Sequence, residues 1–216
     1  MIKAVIFDMD GLMINSEVIT FECYQAVMKK MNLEIPLEFY VTLLGKPVTH
    51  AHERFHSVYG EDFPVEDVIK QVHVMMADRF EKEGVPLKNR LIDLLSYLKE
   101  NNIKTIVATS SHSARVDKIL AQANIEQYFN DSICGDEVTK GKPNPEIFLR
   151  ACQKLGVQPH EAVVLEDSEA GIQAAHSGNI QVICVPDMKY PEPEFEAMAT
   201  RIVKSLHDVI DFVKEA

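Results

Sequence analysis

The sequence predicts an α/β fold: a doubly wound, parallel, Rossmann-like sheet core that carries an inserted α-helical domain. Three observations predict it. Short apolar, β-branched runs alternate with helical patterns, the arrangement of parallel βαβ units. Each run stops abruptly at acids or hydroxyls, as strands buried on both faces do where they reach a sheet edge. About ninety residues separate the first run from the second, far more than one crossover helix needs. The chain of 216 residues is a little longer than one domain of about 150 residues, which suits a core plus a smaller insertion.

The runs that read as strands are Lys3-Ala4-Val5-Ile6-Phe7, Thr105-Ile106-Val107-Ala108 and Ala162-Val163-Val164-Leu165. Asp131 to Cys134 and Gln181 to Val185 are two further candidates. Between them lie helical stripes. Leu91, Leu94, Leu95 and Leu98 repeat at i, i+3, i+4 and i+7, and Val116, Ile119, Leu120 and Ala123 do the same. Ile147, Phe148, Ala151 and Leu155 follow Asn144-Pro145, an N-cap with proline at the first helical position. Ser168 is placed to cap a helix that runs to about Ser177 and ends at Gly178. In the long interval, Phe21, Tyr24, Val27, Met28 and Met31 form one stripe, and Val65, Val68, Ile69, Val72, Met76 and Phe80 another. The expected division is therefore residues 1–15 with 86–216 as the sheet domain, and 16–85 as a helical cap. Pro186 to Pro193 reads as a loop by its prolines.

Composition narrows the function. Lys and Arg number 22 against 33 Asp and Glu, a formal net charge of −11. That disfavours binding to duplex DNA or to anionic membranes, which clustered Lys and Arg drive. No apolar run approaches the roughly 18 residues of a membrane span. The N-terminal apolar stretch is too short, and too soon followed by acids, for a signal peptide. Cys23, Cys134, Cys152 and Cys184 form no CxxC pair, so they read as reduced thiols of a cytoplasmic protein rather than a zinc or disulfide framework. A monomer or weak dimer is expected.

Ligands of open α/β sheets bind beyond the carboxyl ends of the strands. There the sequence puts Asp8 and Asp10 after the first strand and Thr109 and Ser110 after the second. It adds Lys142 in Gly141-Lys142-Pro143, then Glu166 and Asp167 at the end of the Ala162 strand. Each acid alone is an ordinary turn former or helix cap; the ordered set suits phosphoryl transfer. Converging carboxylate oxygens without His or Cys favour a hard cation, most simply Mg²⁺. A phosphate dianion near a bare carboxylate is repelled by about 4 kcal/mol per unit charge pair at 4 Å and an effective dielectric of 20. A divalent ion together with Lys142 reverses that sign. Thr109 and Ser110 are expected to open a helix and to offer backbone N–H groups to phosphate oxygens.

These residues stand in four motifs: FDMDG at 7–11, VATSS at 107–111, GKPNP at 141–145 and LEDSEAG at 165–171. In this order they resemble the haloacid dehalogenase (HAD) superfamily, in its phosphatase and β-phosphoglucomutase-like branch with a helical cap, over essentially the whole chain. The resemblance implies roles. Asp8 would be the nucleophile that becomes an aspartyl phosphate, and Asp10 the general acid and then base. Thr109 and the Ser110 backbone would bind the phosphoryl group, and Lys142 would neutralise it and Asp8. Asp8, the Asp10 carbonyl and Asp167 would hold Mg²⁺, with Glu166 as a direct or water-mediated ligand. Gly11 to Ser16 would be the turn and flap that let the cap move. Asp10 separates the chain from true dehalogenases.

The resemblance also divides the branch. Its mutases carry a histidine where this chain has Thr20, and a cap arginine where it reads Gly45-Lys46-Pro47; Asn15 replaces the usual flap aspartate. A phosphatase of small phosphorylated metabolites, sugar phosphates first, is the favoured function, with a β-phosphoglucomutase-type mutase as the alternative. A phospho-aspartate receiver, a binding protein of another class, shares the Asp, Thr or Ser and Lys set but lacks the insertion and the late acid pair. Glu17 reads equally as a substrate contact or a first-turn helix acid, and Lys46 as a substrate contact or a solvated loop lysine. His52 and His56 have the i, i+4 spacing of a metal pair without a third ligand. His112 faces either the cleft or solvent.

Overall fold

The computed structural model describes residues 1–46 and 48–215. Pro47, in the Lys46-Pro47 corner singled out above, and Ala216 lie outside the described residues. The chain divides into two compact units, one of Met1–Asn15 with Val85–Ala216 and one of Ser16–Gly84.

The first unit is built on six parallel strands: β1 (Ala4–Phe7), β2 (Lys104–Ala108), β3 (Asp131–Ile133), β4 (Ala162–Glu166), β5 (Gln181–Cys184) and β6 (Arg201–Ile202). Their spatial order is β3-β2-β1-β4-β5-β6. Register is direct: Phe7 of β1 lies beside Val107 of β2 and Leu165 of β4. All four residues of β1 are fully buried, which explains the absence of polar alternation in the sequence. Ala4 and Ile6 face a core completed by Ile147, Phe148 and Ile172. Successive side chains of a strand point to opposite faces, so Val5 and Phe7 face the other side, where Phe7 meets Phe129 edge-to-face at 5.6 Å. The chain winds from β1 to one side through β3 and then to the other through β6. That makes the crevice beside β1 the topological switch point, where such sheets bind ligands.

Among the described residues, the other unit holds four helices, α1 (Ser16–Lys30), α2 (Leu37–Val41), α3 (Val48–Tyr59) and α4 (Val65–Glu83). Its centre is aromatic. The fully buried Phe55 lies 5.0 Å from the Phe39 ring, 5.4 Å from Phe63 and 5.8 Å from Tyr24. Val65, Val68, Val72, Met76 and Phe80 form the buried stripe of α4, as their spacing predicts. Within the sheet unit, the outgoing and returning chains pair with each other. Asn15 N–H donates to Pro86 O, Lys88 N–H donates to Met13 O, and Ile14 bridges to Leu87.

The remaining helices are α5 (Leu91–Glu100), α6 (Ser113–Ala123), α7 (Glu146–Leu155), α8 (Glu169–Ser177), the single turn α9 (Pro193–Glu196) and α10 (Leu206–Glu215). Leu91, Leu94, Leu95 and Leu98 are all buried. Ser168 Oγ accepts from Gly171 N, so that cap forms as expected; α7 instead starts one residue later than expected, at Glu146 with Pro145 at the N-cap, while Asn144 Oδ1 still accepts from Glu146 N. Two further expectations need correction. β6 was not anticipated, because two residues carry no periodicity to detect. Thr109 and Ser110 do not open a helix: α6 begins at Ser113, with His112 as its N-cap. Among the described residues, no helix is long and apolar enough to cross a membrane.

Candidate active site

Asp8 is the first residue past β1 and is 7% exposed. Glu166 closes β4 and is fully buried. Charges in such places need partners, since an isolated buried carboxylate is strongly disfavoured. Lys142, from the loop that precedes α7, supplies one. Its Nζ donates to Asp8 Oδ1 at 2.5 Å, to Glu166 Oε1 at 2.6 Å and to Ala108 O at 3.1 Å, and it lies 4.9 Å from the centre of the Phe148 ring. Three acceptors fill the three donors of an ammonium. Burial pushes the Asp8 carboxyl up to about 8, against the lowering pull of Lys142. Burial acts downward on Lys142, but the Asp8 and Glu166 carboxylates outweigh it and hold the ammonium above its ordinary value. Both influences on Lys142's charge that come from contact geometry favour the cation, so Lys142 stays charged and Asp8 is a weaker acid than an exposed aspartate.

The second oxygen of Glu166 is equally engaged. Glu166 Oε2 accepts from Asp167 N, Ser168 N and Ser168 Oγ at 2.9–3.1 Å. Space for this carboxylate exists because position 171 is glycine: a Cβ there would lie 1.9 Å from Glu166 Oε1. Asp167 sits against Gly11, whose φ is +80° and whose absent Cβ would lie 2.1 Å from Asp167 Oδ2. The tight approach of the FDMDG turn to Asp167 therefore requires a glycine.

One carboxylate oxygen each of Asp8, Glu166 and Asp167 lie within 4.8 Å of one another. An all-oxygen set of this span fits a hard divalent cation. Among the described residues it is the one cluster of three or more His, Cys, Asp or Glu able to hold a metal ion. His52 and His56 do not complete such a group. Their rings are 6.2 Å apart, and His56 Nε2 contacts Phe63 O at 3.3 Å.

Asp10 is held differently. Arg115 Nη1 donates to its Oδ2 at 2.6 Å and Nη2 to its Oδ1 at 2.7 Å, and Ser111 Oγ donates to Oδ2 at 2.8 Å. Arg115, four residues beyond Ser111 of the VATSS motif, is the functional residue that the motifs do not contain. The signal was present, because a cation in the first turn of a helix opposes the macrodipole and α6 has no acid there. Thr109 is buried after β2, and its N–H donates to Ile133 O at 3.1 Å. What Thr109 offers a ligand is thus its hydroxyl, which also accepts from Ser111 N at 3.2 Å. Ser110 follows it in the same turn, with its carbonyl packed against Gly135. His112 is exposed, at the N-cap of α6, with Asp136 3.4 Å away.

Asp8, Asp10, Thr109, Ser110, Lys142, Glu166 and Asp167 thus all belong to the C-terminal edge of one sheet. Glu17 and Lys46 belong to the helical unit. Glu17 Oε2 accepts from the hydroxyl of the buried Tyr40 at 2.7 Å, and the same hydroxyl lies 3.0 Å from the Glu17 carbonyl. Lys46 follows the corner at Gly45 and is exposed.

Comparison with known proteins agrees with this geometry. Residues 5–185 match the model of the haloacid dehalogenase-like hydrolases. The chain is 30% identical, over 99% of both lengths, to a phosphorylated carbohydrates phosphatase of Thermotoga maritima. It is 28% identical to the fructose-1-phosphate phosphatase YqaB of Escherichia coli, over 83% of this chain and 94% of that one. Among solved structures, the fold superposes on a β-phosphoglucomutase of Clostridium difficile with a TM-score of 0.78 at 22% identity, covering 100% of this chain and 96% of the other. The chain belongs to the haloacid dehalogenase-like hydrolases, and within them it is similar to the phosphatase and β-phosphoglucomutase-like branch. It has the fold of that branch, a six-stranded parallel α/β core with a helical cap.

Proposed function

We propose that this enzyme, a phosphoric monoester hydrolase of its family, hydrolyses the phosphate esters of small metabolites, sugar phosphates foremost, through an aspartyl phosphate on Asp8. The observation that carries the proposal is the buried Lys142 ammonium shared between Asp8 and Glu166, beside a second acid, Asp10, anchored two residues beyond the nucleophile. Substrates named for its relatives, phosphorylated carbohydrates and fructose 1-phosphate, point the same way.

The residues fit Mg²⁺: carboxylates of Asp8, Asp167 and Glu166, with the Asp10 carbonyl, would hold it. When bound, it supplies positive charge that offsets the repulsion between substrate phosphate and the carboxylates. Glu166 already accepts four hydrogen bonds, so its primary task in this reading is to hold Lys142.

A carboxylate oxygen of Asp8 attacks phosphorus, and the P–O bond to the leaving alcohol breaks as Asp10 gives that oxygen a proton. Lys142 and the Thr109 hydroxyl, with the Ser110 backbone, offset the charge on the phosphoryl oxygens. Asp10 then takes a proton from water as its oxygen attacks the aspartyl phosphate. The P–O bond to Asp8 breaks, inorganic phosphate leaves and the Asp8 carboxylate is restored. The helical unit, with Glu17 and Lys46 as its candidate contacts, acts as the cap that selects the ester.

The phosphatase is preferred to a mutase because Thr20 replaces the mutases' histidine and bonds its own helix, its hydroxyl donating to Ser16 O at 2.7 Å. We read the protein as a monomer or weak dimer of the cytoplasm, in keeping with four buried free thiols, and its net charge argues against nucleic-acid partners. Release of phosphate from p-nitrophenyl phosphate, with and without Mg²⁺, tests the mechanism. The expected result is Mg²⁺-dependent hydrolysis that Asp8→Asn abolishes. No release from folded, Mg²⁺-supplied protein, or equal release by Asp8→Asn, refutes it.

A further inference from the structure

General acid and base catalysis requires the transferring oxygen within hydrogen-bond reach of its target. A lone aspartate turns about two soft torsions, and Asp10 is a quarter exposed, with 26% of its side chain accessible. Something must fix it. The triangle of Asp10, Arg115 and Ser111 closes on itself: besides the three bonds to Asp10, Arg115 Nη1 reaches Ser111 Oγ at 2.6 Å. Both oxygens of Asp10 are engaged, which fixes the plane of the carboxylate as well as its position. Arg115 lies four residues beyond Ser111 and 105 residues from Asp10, so α6 itself ties the acid to the β2 edge. A guanidinium makes this two-point contact and an ammonium does not.

We propose that Arg115 is a positioning residue that anchors Asp10 for proton exchange with the ester oxygen and with water. The inference rests on the acid–base reading of Asp10 given above. Arg115 itself exchanges no proton and is assigned no substrate contact. When Asp10 carries the proton it delivers, one donor contact yields to that O–H while the other oxygen remains on the guanidinium. The carboxylate stays tethered through both half-reactions.

The test compares kcat/KM for p-nitrophenyl phosphate and phenyl phosphate, at saturating Mg²⁺, in wild type, Arg115→Ala, Arg115→Lys, Arg115→Gln and Asp10→Asn. Phenol, with a pKa of about 10 like a tyrosine side chain, leaves far more reluctantly than p-nitrophenol and depends more on an acid. kcat/KM reports the steps up to departure of that group, so the later attack of water does not mask the effect. General acids contribute about 10²- to 10⁴-fold. Asp10→Asn is expected to lose that factor selectively on phenyl phosphate. Arg115→Ala is expected to lose about 10-fold more on phenyl than on p-nitrophenyl phosphate, and Arg115→Lys to recover little of it. If both esters fall equally in the Arg115 variants with a lowered melting temperature, Arg115 merely supports α6 and the proposal is overturned. It is also overturned if Asp10→Asn discriminates between the esters and Arg115→Ala does not. If Asp10→Asn itself shows no discrimination, the acid–base reading fails instead, and the anchor has nothing to position. Should Arg115→Ala not fold, Arg115→Lys and Arg115→Gln decide the same question.

Discussion

Replacing Lys142 by methionine keeps an apolar stem over Phe148 and removes only the ammonium. The carboxylate oxygens of Asp8 and Glu166 lie within 4.8 Å of each other. With both ionised and an effective dielectric of about 20, their repulsion at that distance is about 3.5 kcal/mol. This agrees with the roughly 3–5 kcal/mol lost when one member of a buried ion pair is removed. For a domain of this size each kcal/mol moves the melting temperature by about 2–4 °C, so Lys142→Met should melt about 7–14 °C below wild type in EDTA at pH 9. The sign of its pH dependence follows from Asp8. Its folded value of about 8 stands above the ordinary 3.8, so near pH 5 the folded protein carries the proton and the repulsion is relieved. Stability tied to that proton is lost as pH rises through the folded value; in the variant the lowering pull of Lys142 is gone, so the folded value lies higher still and the loss continues beyond the pH at which wild type levels off. The gap between variant and wild type therefore widens from pH 5 to pH 9. Added Mg²⁺ should close part of it. Thermal unfolding followed by circular dichroism measures all three effects. A melting temperature within about 2 °C of wild type at pH 9, or a gap that narrows as pH rises, would refute the reasoning.

Other expectations follow from single contacts. Gly171→Ala brings a Cβ within 1.9 Å of Glu166 and should cost about 1–3 kcal/mol as overpacking; unchanged denaturant unfolding would contradict it. Gly11→Ala combines a φ of +80° with a Cβ 2.1 Å from Asp167 Oδ2. It should raise the Mg²⁺ concentration for half-maximal p-nitrophenyl phosphate hydrolysis about 10-fold or more, the usual scale for disturbing a ligand's support. The four thiols are buried and burial pushes them up, Cys134 and Cys152 to about 11 and Cys184 to about 12. A thiol reagent at pH 8 should thus titrate none in the native protein and all four in denaturant; rapid native labelling would contradict the packing.

Much of the molecule was legible in its sequence because the relevant physics is local. A run such as Ala4 to Phe7, apolar, β-branched and without alternation, reads as a strand buried on both faces, as strands of a parallel sheet are. The acids and hydroxyls that follow such runs must then gather at one edge, whatever the detailed packing. Leu91, Leu94, Leu95 and Leu98 and the Ser168 cap needed nothing beyond period and propensity; the order of acids, hydroxyls and lysine from Asp8 to Asp167 pointed to phosphoryl chemistry, and the resemblance of their motifs to a family gave each its role. The length between Asp8 and Thr105 likewise announced a helical insertion.

Only the tertiary structure decided who touches whom. Lys142 reaches Asp8 across 134 residues and Glu166 across 24, and Arg115 reaches Asp10 across 105. Such pairings depend on strand register and on rotamers chosen by packing, for which no periodicity exists in the chain. The N–H of Thr109 was lost to Ile133 for the same reason: a backbone donor is allotted by the neighbouring strand, not by its own residue type. The two-residue β6 exists only because β5 offers it an edge to pair with. Residue type and spacing fix which chemical groups arrive at the sheet edge; the balance of burial against pairing, settled only in three dimensions, fixes which of them become partners.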